Sequence, residues 1–273
     1  MFVTRIGATV DQADPIAAAA SRGGDAAQII LGDPQSWSAP SVAFPEGAEG
    51  LVKAAEGQGV RLYVHSAYVI NVASLNNRLR IPSRKLLQQT VHAAAEIGAA
   101  GVVVHGGHVT KDDDPEKGFD NWRKAVEGLE LPVPLLIENT AGGTHAMARY
   151  LESIEKLWAA VGGSANAERV GFCLDTCHAF AAGLELETVV EKVLAITGRI
   201  DLVHANDSQG GFGSGRDRHA NFGKGKIEPE QLAGVAVAAA AVGADFICET
   251  PGEAEDQAGD VAWLRERVGA QSA

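Results

Sequence analysis

Short apolar segments recur along the chain at 3–8, 27–31, 60–64, 101–104, 134–137, 170–174, 200–203 and 245–248, each rich in Val, Ile or Leu. Several are continuous rather than alternating, the pattern of a parallel strand covered on both faces. Between them lie Ala-rich stretches of helical character, among them 14–20, 84–97, 145–160, 186–197 and 228–242. Pro82-Ser83 ahead of Arg84, and Pro229, sit where helices start. Eight strands alternating with helices over 273 residues give about 34 residues per unit, which predicts an α/β fold, a single (β/α)8 TIM barrel domain spanning residues 1–273. The competing doubly wound sheet lacks its Gly-x-Gly-x-x-Gly turn after an early strand. No low-complexity linker divides the chain.

The residues that end these segments are polar in a consistent way. The third hands over to His65-Ser66 and the fourth to His105-Gly106-Gly107-His108. The fifth ends in Glu138-Asn139-Thr140, the sixth in Asp175-Thr176-Cys177-His178, the seventh in His204-Ala205-Asn206-Asp207, and the eighth in Glu249-Thr250. Each residue alone has an ordinary reading, a hydrogen-bonded histidine or a helix cap. Six in succession do not. In a barrel these C-terminal strand ends converge on one face, and unpaired charges buried together would cost several kcal/mol each. Bound cations remove that cost, and mixed imidazole and carboxylate ligands suit zinc while admitting manganese or iron.

Composition sets broader limits. With 35 acidic and 23 basic residues the formal net charge is -12, a weak argument against nucleic acid. Bound divalent cations would reverse the local field at the ligands. No apolar run reaches the length of a membrane span, and Met1-Phe2-Val3-Thr4-Arg5-Ile6 lacks the design of a signal peptide. A soluble, cytoplasmic protein is expected. Three cysteines, Cys173, Cys177 and Cys248, cannot form a disulfide scaffold in a chain of this length, and the spacing of the first two favours packing over ligation. Asp112-Asp113-Asp114 lacks the glycine and closing Glu of a calcium loop and reads as a helix cap. There is neither a nucleophile elbow nor a phosphate loop.

A second cluster follows the seventh strand, within Gly213-Ser214-Gly215-Arg216-Asp217-Arg218-His219 and on to Gly223-Lys224-Gly225-Lys226. Asp217 and His219 are two apart, so in extended backbone both point the same way and, with His178, could hold a further cation. Taken alone the segment reads as a solvated loop. Asn206-Asp207-Ser208 reads as shaping that loop rather than binding metal.

Through Leu174-Asp175-Thr176-Cys177-His178-Ala179-Phe180-Ala181-Ala182-Gly183, the Asp217-Arg218-His219 loop with Gly223-Lys224-Gly225, Glu138-Asn139-Thr140-Ala141-Gly142 and Tyr68-Val69-Ile70-Asn71, the chain resembles the endonuclease IV family of apurinic/apyrimidinic endonucleases, the trinuclear zinc branch of the xylose-isomerase-like barrels. The resemblance runs from Ile6-Gly7-Ala8 to Glu249-Thr250. It implies three Zn²⁺ sites, with Mn²⁺ possible at one or more: His65, His105 and Glu138; Glu138 again as a bridge, with Asp175, His204 and Glu249; and His178, Asp217 and His219. Three dipositive ions would halve the formal charge of -12. Glu138 is then the central catalytic residue, and the implied activity is hydrolysis of duplex DNA 5′ to abasic sites, leaving a 3′ hydroxyl, with trimming of blocked 3′ ends. An extrahelical abasic nucleotide has no stacked base to extract, which would favour it over intact DNA. Tyr68 matches the family residue inserted near the lesion. Trp37, and Arg78, Arg80, Arg84, Lys85, Arg216, Arg218 and Lys224, are candidate DNA contacts. A monomer without a nucleotide cofactor is implied.

Two departures stand out. Family members often carry Gly-x-His-Val-Ser after the first strand, where this chain has Gly7-Ala8-Thr9-Val10-Asp11, and a basic residue two places before the Trp, where it has Gln35. Neither is expected to touch a metal ligand, and both are expected to affect DNA binding or the hold on the lesion. The rival readings are a metal-dependent sugar isomerase or epimerase of the same barrel superfamily, and a catalytically silent binder of damaged DNA or store of zinc. The third ligand set argues against the first and the complete set of nine against the second.

Overall fold

The computed structural model describes residues 3–269. Strands β1 (Ile6–Thr9), β2 (Ala26–Ile29), β3 (Arg61–His65), β4 (Val102–His105), β5 (Leu135–Glu138), β6 (Val170–Asp175) and β7 (Leu202–His204) are joined by a later strand, β10 (Asp245–Cys248), in a closed parallel barrel. Each pairs with its neighbours in sequence order, and β10 closes the ring onto β1 through Ile6–Phe246, Gly7–Ile247 and Ala8–Cys248. All eight expected segments are strands. Between β7 and β10 a small antiparallel ribbon, β8 (Asp207–Ser208) with β9 (His219–Ala220), stands over the C-terminal rim. This is the (β/α)8 barrel that the apolar rhythm predicts.

Along every barrel strand the side chains alternate between two cores. Ala26, Tyr63, Val103, Leu136, Cys173, Leu202 and Ile247 form the inner one. Their neighbours in sequence, such as Ala27, Leu62, Val64, Val102, Val104, Leu135, Ile137, Phe172, Leu174, Val203 and Phe246, face the helices in the outer core. The period of two follows from the pleat of a strand. Gly7 takes the inner place on β1, where a Cβ would collide with the Ala26 carbonyl. At the N-terminal end the barrel is plugged by buried Asp245, which accepts from the Tyr63 hydroxyl (2.7 Å), from Arg61 Nη1 (2.7 Å) and from the Arg5 amide (2.8 Å).

The outer layer comprises α1 (Pro15–Ser21), α2 (Gly47–Gln58), α3 (Asn77–Glu96), α4 (Pro115–Gly128), α5 (Leu151–Gly162), α6 (Thr176–Ala182), α7 (Leu186–Thr197), α8 (Pro229–Ala241) and α9 (Ala254–Gly269). Asp14, Asn76 and Asp114 cap their helices by accepting from backbone amides two or three residues on. Two helices start elsewhere than the sequence pattern suggests. Helix α3 begins seven residues before Arg84 and carries Pro82 inside it; the missing N–H leaves only the carbonyl of exposed Arg78 without its partner, where water can serve. Helix α5 begins at Leu151 rather than near His145. Residues 145–148 instead pair their backbone with the segments after β4 and β5, Val109 N donating to the His145 carbonyl, Met147 N to the Gly107 carbonyl and Thr140 N to the Ala148 carbonyl. No helix among the described residues is long and apolar enough to cross a membrane.

Candidate metal centre

The inner core dictates what occupies the C-terminal mouth. Two residues beyond each inner core position, on the same face of the strand or, for Glu249, just past its end, come Gln28, His65, His105, Glu138, Asp175, His204 and Glu249, with Thr9 two beyond Gly7. The pleat therefore turns all eight toward the barrel axis. His178 joins them from the first turn of α6, where Asp175 caps the helix by accepting from the His178 amide at 2.6 Å. Asp217 and His219 reach in from the ribbon above.

Glu138 is fully buried at the centre, and its two oxygens face different partners. Oε2 lies 3.2 Å from His65 Nε2 and 3.3 Å from His105 Nε2, while Oε1 lies 3.3 Å from His204 Nδ1 and 3.1 Å from His178 Nδ1. His204 Nδ1 is also 3.2 Å from Glu249 Oε2. A third group lies to one side: Asp217 Oδ2 is 3.2 Å from His178 Nε2, and Asp217 Oδ1 is 3.2 Å from His219 Nε2. Candidate ligand atoms fall within 4.8 Å of one another in the sets His65–His105–Glu138, Glu138–Asp175–His204–Glu249 and His178–Asp217–His219, and in an overlapping set, Asp175–Cys177–His219. The nine residues proposed from the sequence are thus gathered in one place.

These spacings fit cations better than they fit hydrogen bonds. Bonds of 2.0–2.1 Å in a tetrahedron put neighbouring ligand atoms about 3.3 Å apart, the separation found between the nitrogens and oxygens here. Glu138 Oε1, His178 Nε2, His204 Nδ1 and His219 Nε2 are all buried without a hydrogen-bond partner. Unpaired buried polar atoms are rare and costly, and four converging on one centre form a donor set that suits a cation.

The electrostatics agree. Burial works against the Glu138 carboxylate, but His105 and His204 hold it well below the usual carboxylate range. Burial opposes ionisation of Glu249 as well, and His204 outweighs it to bring the group down to about 2. The His105 ring is pushed by burial down to about 4, against the pull of Glu138. Burial also disfavours a charged His219, yet Asp217, Asp175 and Glu249 lift it to about 9.

A protein named Probable endonuclease 4 from Mycobacterium bovis (strain BCG / Pasteur 1173P2) is 53% identical over 264 residues, covering 97% of this chain and 99% of its own length. The chain belongs to the endonuclease IV family. Residues 16–267 match the family described as xylose isomerase-like TIM barrel. The crystal structure of endonuclease IV from Thermus thermophilus is similar with a TM-score of 0.83 and 30% identity, over 97% of this chain and 99% of that one. A D-tagatose 3-epimerase-like protein, with a TM-score of 0.78 at 20% identity over 99% of this chain and all of its own, shares the fold.

Around the centre of this endonuclease IV family member, several residues not assigned a supporting role from the sequence hold the candidate ligands. Asn206 donates to Asp175 Oδ2 (2.7 Å) and accepts from the Glu249 amide (2.8 Å). Asn139 accepts from the Asp175 amide (2.7 Å) and donates to the Asp175 carbonyl (3.0 Å). Gln28 donates to Glu249 Oε1 (2.7 Å). Thr9, expected to touch no ligand, does touch one: its hydroxyl donates to Glu249 Oε1 at 3.3 Å. The i+2 spacing along β1 and β2 was the signal that could have found Thr9 and Gln28. Asp207 shapes the loop, accepting from the amides of Ser208, Gly223, Gly225 and Ile227, and Gly225 must lack a Cβ because the Asp207 carboxylate fills that space.

The candidate DNA contacts occupy varied settings. The Tyr68 ring stands edge-on to His65 with centroids 5.2 Å apart and is 45% exposed. Its amide donates to the Pro34 carbonyl, tying its loop to the one bearing Trp37, itself 43% exposed. Burial, then the charges of Glu249 and Glu138, push the Tyr68 phenol up to about 12. A groove of about 530 Å³ runs past Tyr68, Asn71, Leu79, His105 and His108. Arg216 and Arg218 are exposed beside the third ligand set. Lys224 is exposed and pairs with Asp256 at 3.2 Å, whereas Arg84 is half-buried and donates to the Asn121 carbonyl of α4.

Proposed function

We propose that this chain is a DNA-repair phosphodiesterase that cleaves duplex DNA 5′ to abasic sites, leaving a 3′ hydroxyl and a 5′ deoxyribose phosphate, and trims blocked 3′ ends. The observation that carries this reading is the joining of His178, Asp217 and His219 to the Glu138-centred sets. Proton transfer on a sugar, the rival chemistry on this barrel, has no use for a third group, whereas phosphodiester cleavage has three oxygens to stabilise. The similarity to proteins named endonuclease 4 supports the same assignment.

The residues present fit three Zn²⁺, with Mn²⁺ an alternative at one or more positions. His65, His105 and Glu138 would hold one; Glu138, Asp175, His204 and Glu249 a second; His178, Asp217 and His219 a third. When bound, such ions supply a nucleophile from water near neutral pH and neutralise developing charge on phosphate oxygens. Glu138, which belongs to two of these sets, would serve both ions. Tyr68 and Trp37 present flat apolar surface beside the centre, suited to filling the gap that a missing base leaves. Arg216, Arg218 and Lys224 supply positive charge for the backbone near the third set, and Arg84 contributes from α3 once released from Asn121 or through the orientation it gives that helix. The enzyme acts as a cytoplasmic monomer of one barrel domain with no nucleotide cofactor.

The test is a duplex with one synthetic abasic site, incubated with protein of known metal content, with and without prolonged chelation. Chelator-sensitive cleavage on the 5′ side at about three zinc per chain is expected. Intact DNA at full metal loading would overturn the reading and favour turnover of a ketose or aldose.

A further inference from the structure

Three histidines of the centre have their outer nitrogen on a backbone carbonyl: His65 Nδ1 on Ser66 (2.7 Å), His178 Nδ1 on Asn139 (2.9 Å) and His219 Nδ1 on Glu249 (3.2 Å). A carbonyl oxygen only accepts, so each ring carries a proton there and, in its neutral form, turns a bare Nε2 inward. His204 is wired the other way round. Its Nδ1 faces Glu138 and Glu249, and its outer Nε2 lies 2.9 Å from the side-chain oxygen of Gln28.

The orientation of the Gln28 amide is fixed by its other neighbours. Glu249 Oε1, 2.7 Å from Gln28 Nε2, belongs to a carboxylate and can only accept. The NH₂ end must therefore face it, and its second hydrogen goes to Thr9 Oγ1 at 2.9 Å. The Thr9 hydroxyl proton is in turn spent on Glu249 Oε1. That leaves Gln28 Oε1 toward His204, where it must receive a proton from Nε2, so a neutral His204 ring has its Nδ1 bare. Gln28 and His204 are both fully buried, and water cannot substitute. Without Gln28 the preferred seat for the His204 proton would be Nδ1, between two carboxylates, where it would occupy the place of a cation.

We propose that Gln28, clamped by Thr9, is the positioning residue of the Glu138–Asp175–His204–Glu249 site: it selects the His204 tautomer and turns Glu249 so that Oε1 is tied back and Oε2 faces the centre. The inference rests on reading that cluster as a cation site.

The full chain, zinc-loaded and labelled with ¹⁵N in its histidine rings, gives a direct test by long-range proton–nitrogen correlation. The expected wild-type spectrum has His204 protonated at Nε2 with Nδ1 on the metal, opposite to His65, His178 and His219. His204 protonated at Nδ1 would overturn the proposal without any variant. Q28M removes all three of these hydrogen bonds at similar volume; one of three zincs should then be lost to a competing chelator about 10- to 100-fold more readily, with the other two retained. Q28E keeps an acceptor for His204 but sets a carboxylate against Glu249, so the tautomer should persist while affinity falls. A purely structural role would lower thermal stability and leave tautomer and zinc retention unchanged. Wild-type zinc retention in Q28M, in protein whose wild-type form incises abasic DNA, would sink the role of Gln28 alone. Failure of the wild-type chain to take up zinc would sink the cation reading with it.

Discussion

Replacing Asp207 by Asn changes one atom and should detach the third ligand set from the barrel. Asp207 is fully buried, with Oδ1 accepting from the amides of Ser208 (2.7 Å) and Ile227 (3.0 Å), and Oδ2 from those of Gly223 (3.1 Å) and Gly225 (2.9 Å). An Asn side chain keeps one accepting oxygen, so two of the four N–H groups would face an NH₂. Each hydrogen bond to a charged acceptor is worth about 1.5–3 kcal/mol, which puts the loss at about 3–6 kcal/mol. That energy holds the 223–227 turn against β8, and β8 carries β9 with His219. Hydrogen exchange reads the effect locally: opening that costs about 3–6 kcal/mol less should speed exchange at Gly223, Gly225 and Ile227 by roughly 100- to 10,000-fold, at about 1.4 kcal/mol per decade. The same protein should retain two zincs rather than three and lose incision. Wild-type exchange at those amides together with full zinc content in the D207N protein would refute the argument, because the carboxylate would then not be what holds the loop.

Other expectations follow from the same geometry. Glu138→Ala should abolish incision and release metal from both sets that it joins, while far-UV circular dichroism stays that of a folded barrel; near-normal incision would refute the bridging role. Tyr68→Ala should leave zinc content unchanged and weaken binding to an abasic duplex by about tenfold, the scale of one lost stacking contact of about 1–3 kcal/mol; a titration with labelled duplex checks it. Because the Asp217 side chain is 55% exposed whereas Glu138, Asp175 and His204 are buried, brief chelation should remove one zinc well before the other two; simultaneous release in a stopped-flow indicator assay would count against separate sites. Gly7→Ala should prevent soluble expression, since the new methyl group would collide with the Ala26 carbonyl in the closed barrel.

What could be read from the sequence, and what could not, divides along physical lines. Strand segments were legible because burial on both faces demands continuous apolar runs, and the candidate ligands were legible because His, Glu and Asp are improbable at the end of such runs. Helix starts were harder to read, since they depend on tertiary partners: residues 145–148 have helical composition but bond to the backbone after β4, and Pro82 suggests a boundary that the Asn76 cap overrides. Thr9 and Gln28 escaped for a different reason. Neither carries a charge or a metal-binding group, so residue type gives no alarm. Their position does, because each stands two residues past an inner place on its strand, as His65, His105, Glu138, Asp175, His204 and Glu249 do. That shared spacing changes the meaning of Thr9. At a DNA-facing loop its departure from the family pattern would alter only the grip on substrate; beside Glu249, joined to Gln28, it alters how a candidate ligand of the centre is held. A threonine hydroxyl can donate to a carboxylate while accepting from an amide, and that double capacity is what the Gln28 clamp requires. Serine at position 9 should therefore preserve zinc retention, whereas alanine should weaken it less than Q28M does, because it removes the clamp and leaves the amide in place.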